Sequence, residues 1–259
     1  MDNNWRIWDK NDEYGKALYL RSIKKSPEME SSKAVARMVN GVLQENDLIL
    51  DVGCGAGHYL VSLDKTLKKP FSYYGIDRTP HYIDLARRAF LVKQKSSSLR
   101  TSTKFENGDI FNLPLKNNFA DIVMCNNVFL HLPSIKKALN ELWRVSKKYV
   151  IIRTLIGKLS FRIKQVLQSE EYNEDGEPVK YYFFNIYSFD YVESLVRLLP
   201  NVKEFKLVED KDFNPKNIGL VNYKSNIKAP NNMTTAIQGM QINNYIIEPW
   251  HFIILEKEG

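Results

Sequence analysis

Leu48–Tyr59 reads LILDVGCGAGHY, an apolar run that reaches Asp51 and Val52 and passes straight into glycines at 53, 55 and 57. A short Leu/Ile/Val run closed by a Gly-rich turn predicts a buried parallel strand whose backbone bends sharply and lets a ligand come close. A nucleoside cofactor suits such a turn. The dinucleotide pattern G-x-G-x-x-G needs its third glycine at position 58, where this chain has His58. The spacing is D-x-G-x-G-x-G instead, with Asp51 two positions before Gly53. Taken alone, the turn leaves a dinucleotide, another nucleoside cofactor and a plain strand-turn-helix all open.

Working outward, Phe71–Ile76 is a second apolar run, and it ends in Asp77, 24 residues after Gly53. An acid about 20 residues past a Gly loop, at the C-terminal end of a strand, is placed to accept from ribose hydroxyls. The ordinary alternative for such an Asp is a loop cap. Thr79-Pro80 reads as N-cap and first residue of a helix carrying Ile83, Ala86 and Phe90. A third run, Thr103–Asn107, leads to Gly108-Asp109-Ile110, and a fourth, Ala120–Cys125, follows the turn Asn112–Leu115. Pro133-Ser134 is expected to cap a helix with Ile135, Ala138, Leu139, Leu142 and Trp143 on one face, and Tyr149–Ile152 starts a fifth strand. Strands alternating with helices from 48 to 154 predict an α/β fold with a doubly wound parallel sheet.

The D-x-G-x-G-x-G turn, the strand-ending acids Asp77 and Asp109, the Leu113-Pro114-Leu115 turn and the stretch FADIVMCNNVFLHLP (119–133) together resemble the class I S-adenosylmethionine (SAM) methyltransferases, in particular their small-molecule branch. The resemblance covers about residues 45–155. It implies a Rossmann-like seven-stranded sheet, mostly parallel with an antiparallel last strand, plus lid insertions. It implies SAM as cofactor, with Asp51 near the cationic amino-acid end. Gly53, Cys54, Gly55 and Gly57 would pass beneath the methionyl and ribose groups, Asp77 and Arg78 would meet the ribose, and Asp109 and Ile110 the adenine. Asn126 and Asn127 at the fourth strand's end would line the methionyl side, or simply satisfy a turn. Leaders in this family often fold over the methionyl end, which makes Tyr14 and Tyr19 pocket candidates. His131 is the candidate base, because a near-neutral pKa suits deprotonating a hydroxyl, although a His there can equally pack the loop.

The organisation expected is one domain: a leader and capping helix over 1–44, the SAM-binding core over 45–156, a lid or acceptor insertion over 157–187, a core helix and strand over 188–210, a second insertion over 211–249 and a last core strand over 250–259. A second helix is expected to start near Ser26-Pro27. Tyr182 and Phe184, in the aromatic run of the first insertion, are candidates for the acceptor wall, with a small satellite core as the alternative. At 259 residues and 44% apolar content the chain can bury one α/β core. No uninterrupted apolar run approaches the roughly 20 residues of a membrane span, so a cytoplasmic protein with no membrane partner is expected. Cys54 and Cys125 are expected reduced and buried, and no His/Cys spacing suggests a metal.

The net charge of +7 has a local source: residues 136–164 hold nine Lys/Arg against Glu141. Most are expected on a solvated helix face, while Lys158, Arg162 and Lys164 follow strand five, where an anionic acceptor would lie. Missing motifs restrict the acceptor. The Asn126–Phe129 stretch lacks the D/N-P-P-Y/F pattern of amine methylation, no Pro-Cys pair supports cytosine chemistry, and strand five lacks the Asp-Asn pair of the magnesium-dependent catechol branch. Arg144–Tyr149 also stands where relatives carry a Lys-Pro-Gly-Gly turn. The expectation is methyl transfer to a small-molecule or sugar acceptor, at a hydroxyl oxygen, with nucleic acid disfavoured. The rivals are an RNA methyltransferase, a SAM-binding regulatory or scaffold protein without turnover, and a nicotinamide oxidoreductase. The oligomeric state is not readable.

Overall fold

The computed structural model describes residues 5–6, 11–94, 101–167, 171–212, 234–237, 240–243 and 250–258. Helices α1 (Asp12–Ser22) and α2 (Glu30–Val42) precede β1 (Asp47–Val52), α3 (His58–Thr66), β2 (Phe71–Asp77), α4 (Pro80–Gln94), β3 (Ser102–Asn107) and β4 (Ala120–Asn126). Next come α5 (Lys136–Val145), β5 (Ser146–Gly157), the short strands β6 (Lys164–Val166), β7 (Tyr181–Phe183) and β8 (Tyr187–Ser188), α6 (Phe189–Val196) and β9 (Val202–Glu209). A separate β10–β11 hairpin (Thr234–Ile237 and Met240–Asn243) and β12 (Trp250–Lys257) follow. The main sheet runs β3-β2-β1-β4-β5-β12-β9, with β8 as a short eighth strand beside the end of β5. β1 to β5 pair in parallel, and β12 is antiparallel to both β5 and β9. This is the mostly parallel sheet with an antiparallel last strand that the sequence led us to expect.

Both faces of the sheet are covered, and the period-2 alternation of each central strand explains how. Leu50 and Val52 of β1, Val123 and Cys125 of β4, and Val150 and Ile152 of β5 enter one apolar layer with α5 and α6. Ile49, Ile122, Met124 and Ile151 enter the other with α2, α3 and α4. Near-continuous apolar strands arise because alternate residues face different cores. Cys54 and Cys125 are buried free thiols, as expected.

The turn after β1 is tied down by the end of β2. Gly53 and Cys54 N–H donate to the Ile76 carbonyl at 2.7 and 3.0 Å, and Gly55 N–H donates to Asp77 Oδ2 at 2.8 Å. Gly57 closes the turn at φ +78°, and a Cβ there would sit 2.9 Å from the rings of Phe105 and Phe90. Gly57→Ala is therefore expected to lower unfolding free energy by about 2–4 kcal/mol, left-handed strain adding to overpacking, in a urea titration.

Four local expectations are corrected. α2 starts at Glu30 rather than near Ser26, because Lys25 and Ser26 N–H still donate to Leu20 O as the chain leaves α1. Pro133-Ser134 does not cap α5. That helix starts at Lys136 behind Ile135, whose side chain makes no cap, while Arg162 holds the Pro133 carbonyl. β5 starts at Ser146 rather than at Tyr149, paired there with Ala120 of β4, and runs to Gly157, where its last two residues pair with β8. The basic stretch is not uniformly a solvated face. Arg144 pairs with Glu141, Lys147 with Asp121, Lys148 with Asp47 and Asp121, and Arg153 is buried against Asp210. Most of the second insertion lies outside the described residues, as do residues 95–100 of the stretch Lys93–Thr103, whose low-complexity sequence (KQKSSSLRTST) reads as a surface loop but whose ends belong to α4 and β3. No helix among the described residues is long and apolar enough to cross a membrane.

Candidate functional site

The C-terminal ends of β1, β2 and β4 open onto one cleft. Among the expected residues it brings together Gly53, Gly55, Asp77, Arg78, Asp109, Ile110, Asn126, Asn127, Tyr14 and His131. Asp51, Cys54, Gly57, Tyr19, Tyr182 and Phe184 are not on its wall. Asp51 is 2% exposed beneath the Gly turn and accepts from the Tyr73 hydroxyl at 2.6 Å. Burial pushes its pKa up to about 7, against the pull of that hydrogen bond. Lining residues that sequence reasoning did not place there include Trp5, Arg6, His58, Thr79, Tyr82 and Phe111. His58 was the most findable of these, standing next to the last glycine of the turn.

Asp77 anchors two elements at once. Its Oδ2 holds Gly55 N–H and its Oδ1 accepts from Thr79 N–H at 2.9 Å, at the start of α4. A carboxylate has about four acceptor positions, so both backbone bonds are compatible with ribose hydroxyls. Asp109, also on the cleft wall, is tied to the leader and to the end of β2. Its Oδ2 receives Arg6 at 3.4 Å and also Arg78, while Oδ1 accepts from Phe111 N–H at 3.0 Å. Arg6 lies 4.9 Å from the ring of Trp5, which packs between Phe111 and Phe183. The leader thus reaches the Asp109 side through Trp5-Arg6. It covers the Gly turn through α1, where Leu18 packs against Gly55 and Ser22 donates to Ala56 O at 2.7 Å.

His131 ends a 3-10 turn over Phe129–His131 that follows β4. Its Nδ1 is 2.9 Å from the Phe183 carbonyl, which can only accept, so Nδ1 carries the proton and Nε2 the lone pair. Burial holds its pKa below the ordinary histidine value, partly offset by that carbonyl. The first insertion clamps this turn: Asn185 Nδ2 donates to Leu132 O and the Tyr187 hydroxyl to Phe129 O, each at 2.9 Å. Alternation along β7 turns Phe183 toward Trp5, while Tyr182 and Phe184 flank His131 with ring centroids at 6.5 and 6.1 Å.

The cleft fits a polar cofactor without phosphate. Both amide atoms of Asn126, 5% exposed, and Nδ1 of His58, 8% exposed, are buried with no hydrogen-bond partner among the described residues. Buried polar atoms of this kind carry a desolvation cost that a ligand relieves. The N–H groups of Gly53, Cys54, Gly55 and Gly57 are committed to the carbonyls of Ile76 and Cys54 and to Asp77, so these four do not await a ligand. Burial drives His58 down to about 3, which keeps it neutral.

The comparisons agree with this geometry. A family model described as a methyltransferase domain matches residues 43–176. An uncharacterized methyltransferase of Schizosaccharomyces pombe is 33% identical over 40% of this chain and 38% of its own. A demethylmenaquinone methyltransferase of Lactiplantibacillus plantarum is 30% identical over 40% and 43%. The chain thus spans about two fifths of the length of these curated relatives. Among solved structures, a methyltransferase of Haloferax volcanii bound to the Trm112 activator superposes with TM-score 0.56 at 16% identity, covering 99% of this chain and 97% of that one. A SAM-dependent methyltransferase of Thermotoga maritima gives TM-score 0.53 at 19% identity, over 98% and 100%. The chain belongs to the methyltransferase-domain family, and its fold is that of the class I SAM-dependent methyltransferases.

Proposed function

We propose that this protein transfers the methyl group of SAM to a hydroxyl oxygen of a small-molecule or sugar acceptor, with His131 as general base. The observation that supports the reading is the Phe183 carbonyl 2.9 Å from the Nδ1 of His131, a cleft residue, since a protonated Nδ1 leaves Nε2 as the basic nitrogen. The bound cofactor would supply an electrophilic methyl on a sulfonium. Asp77 would hold the ribose, Asn126 and Asn127 the methionyl side, and α1 with Trp5-Arg6 would exclude water. With the cofactor bound, the acceptor hydroxyl would give its proton to Nε2 as its oxygen took the methyl, leaving a neutral thioether and a methyl ether. Aligning the two reactants supplies roughly 7–11 kcal/mol, so the base completes rather than dominates the rate enhancement.

Trp5 and Phe111 on the cleft wall support an acceptor with a flat or apolar face. The pairing of Arg144, Lys147, Lys148 and Arg153 with carboxylates supports a small acceptor over RNA, because paired cations track phosphates poorly. Transfer of labelled methyl from SAM is the test, across sugars, phenols and demethylmenaquinone, the last chosen for the Lactiplantibacillus relative's name. His131→Gln is expected to lower kcat about hundredfold with affinity for S-adenosylhomocysteine unchanged. The wild-type kcat should be flat at neutral pH and fall on an acid limb lying below the ordinary histidine pKa, as Nε2 protonates. Unchanged kcat in His131→Gln would remove His131 from the chemistry. Saturable SAM binding with no transfer to any acceptor would favour the scaffold reading.

A further inference from the structure

Behind the cleft, the ends of β5, β9 and β12 meet in a buried polar network. Arg153 is 2% exposed and Asp210 1%, and the guanidinium Nε and Nη2 both meet Asp210 Oδ2 at 2.7 Å. The ring of Trp250 lies 4.1 Å from the guanidinium carbon, and the Trp250 carbonyl accepts from Asp210 N–H at 2.7 Å. Held on both sides, Arg153 points Nη1 at Asn127 Oδ1, 2.7 Å away. A guanidinium only donates, so this contact decides which way the Asn127 amide is turned: oxygen inward, nitrogen outward. The outward Nδ2 donates to the Tyr59 hydroxyl at 3.2 Å, and that hydroxyl donates to Ser31 Oγ at 3.1 Å. Asn127 and Tyr59 are both cleft residues, whereas Arg153 and Asp210 are not.

We propose that Arg153, clamped by Asp210 and Trp250, is a positioning residue that orients the Asn127 amide so that its nitrogen, with one hydrogen on Tyr59, keeps the second N–H for the amino-acid carboxylate of the methyl donor. The inference rests on the cleft taking SAM. An amide turned the other way would present an oxygen lone pair to that carboxylate and repel it. The ion pair thus sets the polarity of one wall of the site without touching the ligand. Asn127 sits at φ +58°, a region Asn and Gly tolerate, so backbone and side-chain roles can be separated by substitution.

Calorimetry with S-adenosylhomocysteine and with 5′-methylthioadenosine tests this, since both carry the adenosyl thioether and only the first carries the amino-acid end. Asn127→Gly keeps the backbone geometry and removes the amide. Arg153→Lys keeps a cation opposite Asp210 and removes the second arm of the fork. Both variants are expected to bind S-adenosylhomocysteine about tenfold more weakly, the loss of one hydrogen bond to a charged group, and methylthioadenosine within about twofold of wild type. A general loosening of the fold would weaken both ligands alike. Equal losses for the two ligands, or no loss for S-adenosylhomocysteine, overturn the proposal. Wild-type protein that binds neither ligand overturns the cofactor reading beneath it, which separates the two failures.

Discussion

Asp77→Ala is expected to weaken S-adenosylhomocysteine binding by about 10²–10⁴-fold, because in the proposed function one carboxylate would serve both the ligand and the loop that receives it. Two ribose hydroxyls donating to a charged acceptor contribute about 3–6 kcal/mol together. The same carboxylate accepts from Gly55 N–H and Thr79 N–H, so its loss also frees the turn after β1 and the link into α4. Losing these backbone bonds should lower stability by about 1–3 kcal/mol, visible as a lower urea midpoint. Asp77→Asn separates the two effects, since its single carbonyl oxygen can keep one backbone donor while the charge is gone. Calorimetric affinity of Asp77→Ala within a factor of three of wild type would show that no ribose contact depends on Asp77.

Asp210→Ala should cost about 3–5 kcal/mol of unfolding free energy, since removing one partner strands the other charge in the interior. Arg153 is 2% exposed and cannot reach water without moving Trp250 and the end of β12. Replacing both partners together, as Arg153→Met with Asp210→Leu, should recover most of that loss in urea titrations, because no buried charge then remains. A cost below about 1 kcal/mol for Asp210→Ala would mean that water enters the site when the carboxylate leaves. The stability of the double variant and its affinity for S-adenosylhomocysteine should part company. It folds, yet nothing orients Asn127.

Signals local in the chain were the readable ones. The β1 turn, Asp77 and β4 follow from apolar runs, glycines and acids within a few residues of each other, so their placement at one sheet edge was legible in advance. What joins them was not. Arg6 reaches Asp109 across 103 residues of sequence, and Arg153 reaches Asp210 across 57, and neither pairing leaves a periodic trace. The YYFF run was legible as aromatic but not as two-sided. Only the pairing of β7 with β6 decides that Phe183 packs on Trp5 while Tyr182 and Phe184 flank His131. The starts of α2 and α5 differ from the composition signal because backbone bonds to Leu20 hold the chain before α2, and the Arg162 side chain holds the Pro133 carbonyl before α5.

The position of β12 has a bearing on how the protein is made. Its strand lies between β5 and β9 rather than at the sheet's margin, although it comes after both in the chain. Until Trp250–Lys257 has been synthesised, β5 offers an open edge from Tyr149 to Leu155, the kind of edge that pairs with other chains. Arg153 meanwhile has no indole to lie against and Asp210 no carbonyl to hold its backbone. The donor half of the cleft therefore acquires its final wall only after translation of that strand. A nascent chain can complete β1 to β4 and the Gly turn and still lack an oriented Asn127.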